Sequence, residues 1–147
     1  MTGRRALAVA VVLLLPAGLY ASLRAGLWNS DRAALIAEYA VAPSRMVEVQ
    51  GVPLRIRDEG RGPVVVMLHG SIVNLHEWDL VAARLVDGYR VVRLDWPPYG
   101  LSGPDPTGEY STARAAELLE GLVQQLELPP FVLVATSNGG NVALEYN

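Results

Sequence analysis

The sequence has no cysteine and no lysine, a single phenylalanine and two histidines. Without cysteine there is no disulfide framework, no thiolate zinc site and no cysteine nucleophile. Two histidines alone do not furnish a metal cage, so neither a metal nor a cofactor is expected. All twelve basic residues are arginines, scattered among fifteen carboxylates, and the net charge is −3. Phosphate binding needs clustered positive charge, and this balance argues against a nucleic-acid partner. Repeats and low-complexity tracts are also missing. With 51% apolar residues, the chain has enough to bury that disorder is not expected. Its 147 residues amount to one domain, or a piece of one, with a targeting segment.

What is present begins with a long apolar run. Ala6 to Leu23 (ALAVAVVLLLPAGLYASL) carries no charge, with Arg4 and Arg5 before it and Arg24 after it. As a helix the run is about 27 Å long, against a hydrocarbon thickness of ~30 Å, so a transmembrane anchor is expected in residues 1–30, contacting the membrane through residues 6–23. The flanking arginines put Met1 in the cytoplasm and the rest of the chain on the extracytoplasmic side. The alternative is a cleaved signal peptide and a secreted protein. It fits less well, because Leu19 stands two places before Ala21, where a cleavage site wants a small residue.

Beyond residue 30 the periodicities change. Asn29-Ser30-Asp31 starts a short helix over Ala33–Tyr39, and residues 31–45 read as a spacer helix and linker. Met46–Val49 and Leu54–Arg57 alternate around Gln50-Gly51-Val52-Pro53 as a β-hairpin. Val64 to Leu68 (VVVML) is apolar at every position, which suits a strand covered on both faces. Trp78, Val81, Ala82 and Leu85 form a helical stripe, and Tyr89–Leu94 is the next strand. Ser111 can cap a helix whose apolar face runs from Ala115 to Leu126 before Pro129-Pro130. Phe131–Ala135 is another buried strand, and a further helix starts at Asn138. Strand and helix alternating in this way predict an α/β fold with a mostly parallel sheet flanked by helices over residues 46–147.

Catalytic groups in such sheets collect at the C-terminal ends of the strands. Three loops lie there: Leu68-His69-Gly70-Ser71, Asp95 to Ser102 (DWPPYGLS), and Ala135-Thr136-Ser137-Asn138-Gly139-Gly140. A serine on a tight strand-to-helix turn projects its hydroxyl above the sheet and needs small residues two places to either side, as Ala135 and Gly139 are. The same turn leaves the N–H of Asn138 at a helix N-terminus, where it can stabilise an oxyanion. Plain N-capping by Ser137, with glycines serving close packing, is the structural alternative.

Together LHGS (Leu68 to Ser71), DWPPYGLS (Asp95 to Ser102), PDPTGEYS (Pro104 to Ser111) and LVATSNGG (Leu133 to Gly140) resemble the ordered landmarks of the α/β-hydrolase superfamily, in its serine-nucleophile branch. The resemblance covers residues 46–147 and is expected to represent an N-terminal half of that domain. It implies Ser137 as nucleophile, with the N–H of Asn138 and that of Ser71 or Ile72 as the oxyanion hole. Ala135, Gly139, Gly140, His69, Gly70 and Asp95 would then shape the elbow and loops. Ala135 and Pro98 stand where the family usually has glycine, and Ile72 where it often has a small residue. Haloalkane dehalogenases and epoxide hydrolases of this family use a carboxylate nucleophile, so a serine implies hydrolysis of an ester, thioester, amide, lactone or carbon–carbon bond in a small-molecule substrate.

The family order is serine, then acid, then histidine. After Ser137 come ten residues with one acid, Glu145, and no histidine. His69 is read as holding the oxyanion loop and His76 as a rim residue. The chain is therefore expected to be a catalytically incomplete fragment, its apolar strand edge and helix faces exposed to water and prone to aggregate. The alternative is a non-catalytic, membrane-tethered binding or scaffold protein whose sheet edge pairs with a partner.

Overall fold

A computed structural model describes residues 3–27 and 29–147, in two compact units, Met1–Ala34 and Leu35–Asn147. In the first unit, helix α1 spans Gly3–Arg24. It ends as a Schellman turn: Gly26 takes φ +69°, and the Leu27 N–H reaches back to the Ser22 carbonyl at 3.1 Å. Among the described residues no helix is long and apolar enough to cross a membrane. This corrects the anchor over residues 6–23, the membrane as a partner and the extracytoplasmic placement derived from them. Pro16, Gly18, Tyr20 and Ser22 break the run of large aliphatic residues in its second half. The placement of Met1 lies outside the described residues.

Helix α2 (Arg32–Tyr39) precedes a five-stranded sheet formed by β1 (Ser44–Val49), β2 (Val52–Glu59), β3 (Val64–Leu68), β4 (Arg90–Leu94) and β5 (Phe131–Ala135), in the order β1-β2-β4-β3-β5. β1 and β2 form a hairpin around the two-residue turn Gln50-Gly51, with φ of +51° and +79°. That geometry suits the right-handed twist of paired strands. β2 then runs on to Glu59 and pairs antiparallel with β4, while β3 pairs parallel with both β4 and β5. The sheet is thus mixed, correcting the mostly parallel one expected. The hairpin joins the main sheet because β2 is twice as long as its alternating segment suggests and exposes a full edge to β4.

β3 is buried at all five positions, and its two faces meet different partners. Val64, Val66 and Leu68 join Leu54, Ile56, Val92 and Leu94 against Leu118, Leu119 and Leu122 of α4 (Thr112–Gln125) and Val142 of α5 (Asn138–Tyr146). Val65 and Met67 pack with Val91 against Ala82 of α3 (Asp79–Leu85). This second face also carries Arg93, 2% exposed, which pairs with Glu59 and Asp79. The α4 N-terminus is capped by Ser111, whose hydroxyl accepts the Arg114 N–H at 3.1 Å. The Arg114 side chain in turn donates to buried Asp105 at 2.8 Å. β5 lies at the sheet edge with Val132 62% exposed.

Candidate active site

The parallel strands β3, β4 and β5 end side by side, and their loops converge. At the end of β5 the chain reverses into α5 at Ser137, with φ +50° and ψ −125°. An L-residue adopts such a conformation only at a cost of about 1–3 kcal/mol. Ser137 is exposed and its hydroxyl makes no capping bond to α5, so the plain N-cap does not describe it. The N–H groups of Gly139 and Gly140 turn back onto the carbonyls of Thr136 and Ser137, at 2.9 Å each. The N–H of Asn138 heads the helix, where no intrahelical acceptor exists. Asn138 Oδ1 accepts from Asn141 Nδ2 at 2.8 Å.

The bend fits because its neighbours are small. A Cβ on Gly139 would lie 2.5 Å from the His69 carbonyl oxygen and 2.8 Å from that of Leu68, whereas one on Gly140 would meet nothing within 4 Å. Ala135, partly buried, closes β5 beside Leu68. From the β3 side Gly70 abuts the elbow: a Cβ there would stand 3.1 Å from Ser137 Cβ and 3.6 Å from its Oγ. The Gly70 segment and the serine therefore lie side by side, with little room for a side chain at position 70.

His69 is fully buried, with Nδ1 2.6 Å from the Gly70 carbonyl oxygen and Nε2 3.3 Å from the Trp96 N–H. The carbonyl can only accept and the amide only donate, so the ring is neutral with its proton on Nδ1. Burial pushes its pKa below the usual histidine value, and the bond to Gly70 only partly offsets this. The ring stacks on Trp96, which donates its indole N–H to the His69 carbonyl at 3.0 Å. His76 is engaged elsewhere: Nε2 accepts from Arg55 at 3.0 Å and Nδ1 donates to Asp79 at 2.8 Å. Burial tends to raise the Asp79 pKa, but hydrogen bonds from His76 and Arg93 outweigh it and hold it low.

Asp95, fully buried, accepts the N–H groups of Leu75 at 2.7 Å and Leu101 at 2.9 Å, and lies 3.6 Å from Arg55. It ties the loops after β3 and β4 together. Ser71 is partly buried next to Gly70, whereas Ile72, at φ +57°, is 91% exposed. That backbone region is an outlier for a β-branched residue. Sequence reasoning missed Glu77, whose Oε2 accepts the Gly70 N–H at 2.9 Å, and buried Arg55. Nothing in the sequence marks Glu77, which stands between His76 and Trp78 ahead of Asp79, and Arg55 shows only as a charge within the alternating Leu54–Arg57 run. A hollow of 460 Å³ lies between α4 and α5, lined by Glu117, Glu120 and Tyr146 among others, away from Ser137.

Comparison with known proteins agrees with this arrangement. Human Protein ABHD14A is 33% identical over 123 residues, 82% of this chain and 44% of the relative. Uncharacterized hydrolase YugF of Bacillus subtilis is 32% identical over 108 residues, 71% of this chain and 39% of the relative. The chain thus spans less than half the length of these curated relatives. Among solved structures, Cfl2 from Burkholderia cenocepacia superposes with a TM-score of 0.66 at 31% identity, covering 70% of this chain and 35% of that one. The epoxide hydrolase VrEH1 from Vigna radiata gives 0.66 at 30%, covering 70% and 34%. A family model described as alpha/beta hydrolase fold matches residues 63–146. This corrects the expected resemblance to an N-terminal half: the match occupies residues 63–146, in the C-terminal part of the chain. With more than half of its residues in that match, and with the strand ends and elbow described above, the chain belongs to the alpha/beta hydrolase fold family.

Proposed function

We propose that this is a serine-dependent hydrolase of ester-like bonds, with Ser137 as the acyl-accepting nucleophile. The observation that carries the reading is the elbow itself: an exposed hydroxyl on a strained, uncapped bend, pressed against Gly70. Oγ attacks the acyl carbon and loses its proton to a base, while the carbonyl π pair moves onto oxygen. The N–H groups of Asn138 and Ser71 receive that oxyanion. Collapse of the tetrahedral adduct re-forms the carbonyl and expels the leaving group with a proton, and water then repeats the sequence on the acyl-serine.

Ester-like substrates suit this site better than the epoxides named for VrEH1. A carboxylate that opens an epoxide leaves an ester that water can cleave. A serine would leave an ether, which it cannot. The proton acceptor is the part this chain does not supply from its histidines: His69 is buried and bonded through both nitrogens, and His76 is held by Arg55 and Asp79. An external base should therefore act in its place.

The test is a fluorophosphonate probe with the 147-residue chain, with and without added imidazole, read by peptide mass spectrometry. The expected result is phosphonylation of Ser137, accelerated by imidazole and absent in Ser137→Ala. Labelling that survives Ser137→Ala, or none under any condition, refutes the nucleophile. A folded chain that stays inert favours the second reading, a non-catalytic protein whose β5 edge, with exposed Val132, pairs with a partner strand.

A further inference from the structure

We infer that Glu77 is a positioning residue that locks the oxyanion loop, an inference that rests on the reading of Ser137 as nucleophile. Two consecutive peptide groups flank Gly70. The first, joining His69 to Gly70, is held at both ends: its N–H donates to Glu77 Oε2 at 2.9 Å, and its carbonyl accepts the Trp96 indole N–H at 3.0 Å. The second, joining Gly70 to Ser71, is held at one end, where its carbonyl accepts from His69 Nδ1 at 2.6 Å. In a trans peptide the carbonyl and the N–H point in opposite directions. Fixing the Gly70 oxygen on His69 therefore aims the Ser71 N–H away from that ring.

Glycine at position 70 accommodates the close approach of Ser137, but glycine is the residue with the most backbone freedom to lose. Both of its dihedrals are set only when both flanking peptide planes are fixed. His69 and Trp96 are buried and stacked; Glu77 is the third member of the clamp. Its own place is secured by the 3₁₀ turn Leu75–Trp78. Asn74 Oδ1 caps that turn at 3.0 Å, and the Leu75 N–H is tied to Asp95 at 2.7 Å. A charge-assisted bond from a carboxylate to a backbone N–H is roughly twice as strong as a neutral one, which suits a joint that must not rotate.

Two readouts test the clamp in parent, Glu77→Ala and Glu77→Gln chains: imidazole-assisted phosphonylation of Ser137, and amide hydrogen exchange at Gly70 and at Val66 in β3. Losing an oxyanion donor costs about 10²–10³ in rate. Loosening one by Glu77→Ala should cost about tenfold or more. Gly70 exchange should rise by at least a similar factor while Val66 is unmoved. Glu77→Gln keeps an oxygen acceptor and should recover both to within about threefold. The inference is overturned if Gly70 exchange does not change in Glu77→Ala, if Val66 accelerates in step with it, or if the rate holds while Gly70 loosens. Should the parent not label at all, the nucleophile reading falls separately, and Gly70 exchange alone decides whether Glu77 clamps the loop.

Discussion

Gly139 and Gly140 are adjacent, both helical, and should respond to alanine with opposite signs. A Cβ at Gly139 would come within 2.5 Å of the His69 carbonyl oxygen, 2.8 Å of the Leu68 oxygen and 3.1 Å of the Leu68 carbonyl carbon. These are backbone atoms at the end of a central strand and cannot rotate away. The start of α5 must instead lift from β3 by several tenths of an ångström, which stretches the Thr136 N–H bond to Leu68, already 3.2 Å long. Overpacking of this kind costs about 1–3 kcal/mol, and the weakened hydrogen bond adds up to about 1 kcal/mol. Against this stands the ~0.5–1 kcal/mol gained when alanine replaces a helical glycine. The net expectation for Gly139→Ala is a loss of about 1–3 kcal/mol. Gly140→Ala meets nothing within 4 Å and keeps the entropic gain, about 0.5–1 kcal/mol. In urea, with a slope of roughly 1–3 kcal/mol per molar, the two midpoints should separate by about 1 M, on opposite sides of the parent. Equal shifts, or a Gly139→Ala chain as stable as the parent, would show that the elbow is not pressed against β3 and would remove the basis for placing Ser137 beside Gly70.

Relief of strain and loss of chemistry should also coincide. Ser137→Gly accepts φ +50° without penalty and should stabilise the fold by about 1 kcal/mol in urea while abolishing phosphonylation; a lower midpoint would mean the bend is not strained. Acid should weaken the fold in two stages. The His69 pKa is lowered in the native state, so the unfolded chain takes up a proton near pH 6.5 that the native chain refuses. That stability is complete above about pH 6.5 and falls as the pH drops toward the native value. Burial tends to raise the Asp105 pKa, but bonds from Thr107 and Arg114 hold it below the usual carboxylate range. Its contribution is present above about pH 3.9 and lost as the pH falls through its lower native value. Urea midpoints between pH 7.5 and 5 should decline in the parent and flatten in His69→Gln; a flat parent profile would contradict a neutral buried ring.

Local features of the fold were legible wherever the signal was local. Five consecutive apolar residues at 64–68 mark a strand buried on both faces, Ser111 before an amphipathic run marks a cap, and Gln50 to Pro53 between two alternating runs marks a hairpin, though its turn is only Gln50-Gly51. What depended on register was not legible. Nothing in Leu54–Arg57 says that β2 continues to Glu59 and pairs with β4, so the mixed sheet escaped. Nor does YRVVRL show that Arg93 lies 2% exposed, because Glu59 of β2 and Asp79 of α3 come to it only in the folded sheet. The run from Ala6 to Leu23 is uncharged, but lack of charge alone does not make a helix apolar enough to span a bilayer. At the site, the glycines around Ser137 could be read from sequence because steric needs act between near neighbours. Glu77 could not, because its role exists only once a 3₁₀ turn brings it back to Gly70.

The two histidines show how the scaffold around Ser137 divides its labour. A catalytic imidazole needs one nitrogen free to take a proton at the nucleophile and must be able to carry a positive charge. His69 meets neither condition: its Nε2 lone pair is directed at the Trp96 N–H, and its burial disfavours the cation. Protonating it would set two N–H groups against each other and release the loop it holds. His76 retains its lone pair only as an acceptor for Arg55, and its other nitrogen is committed to Asp79. Both rings are thus committed to structural bonds, and on the proposed reading of Ser137 its rate should be set by whatever base reaches it from solution. Phosphonylation of Ser137 should therefore rise in proportion to the concentration of neutral imidazole and not level off. Saturation at low imidazole would mean that the chain holds a base-binding site beside Ser137 or supplies a base of its own.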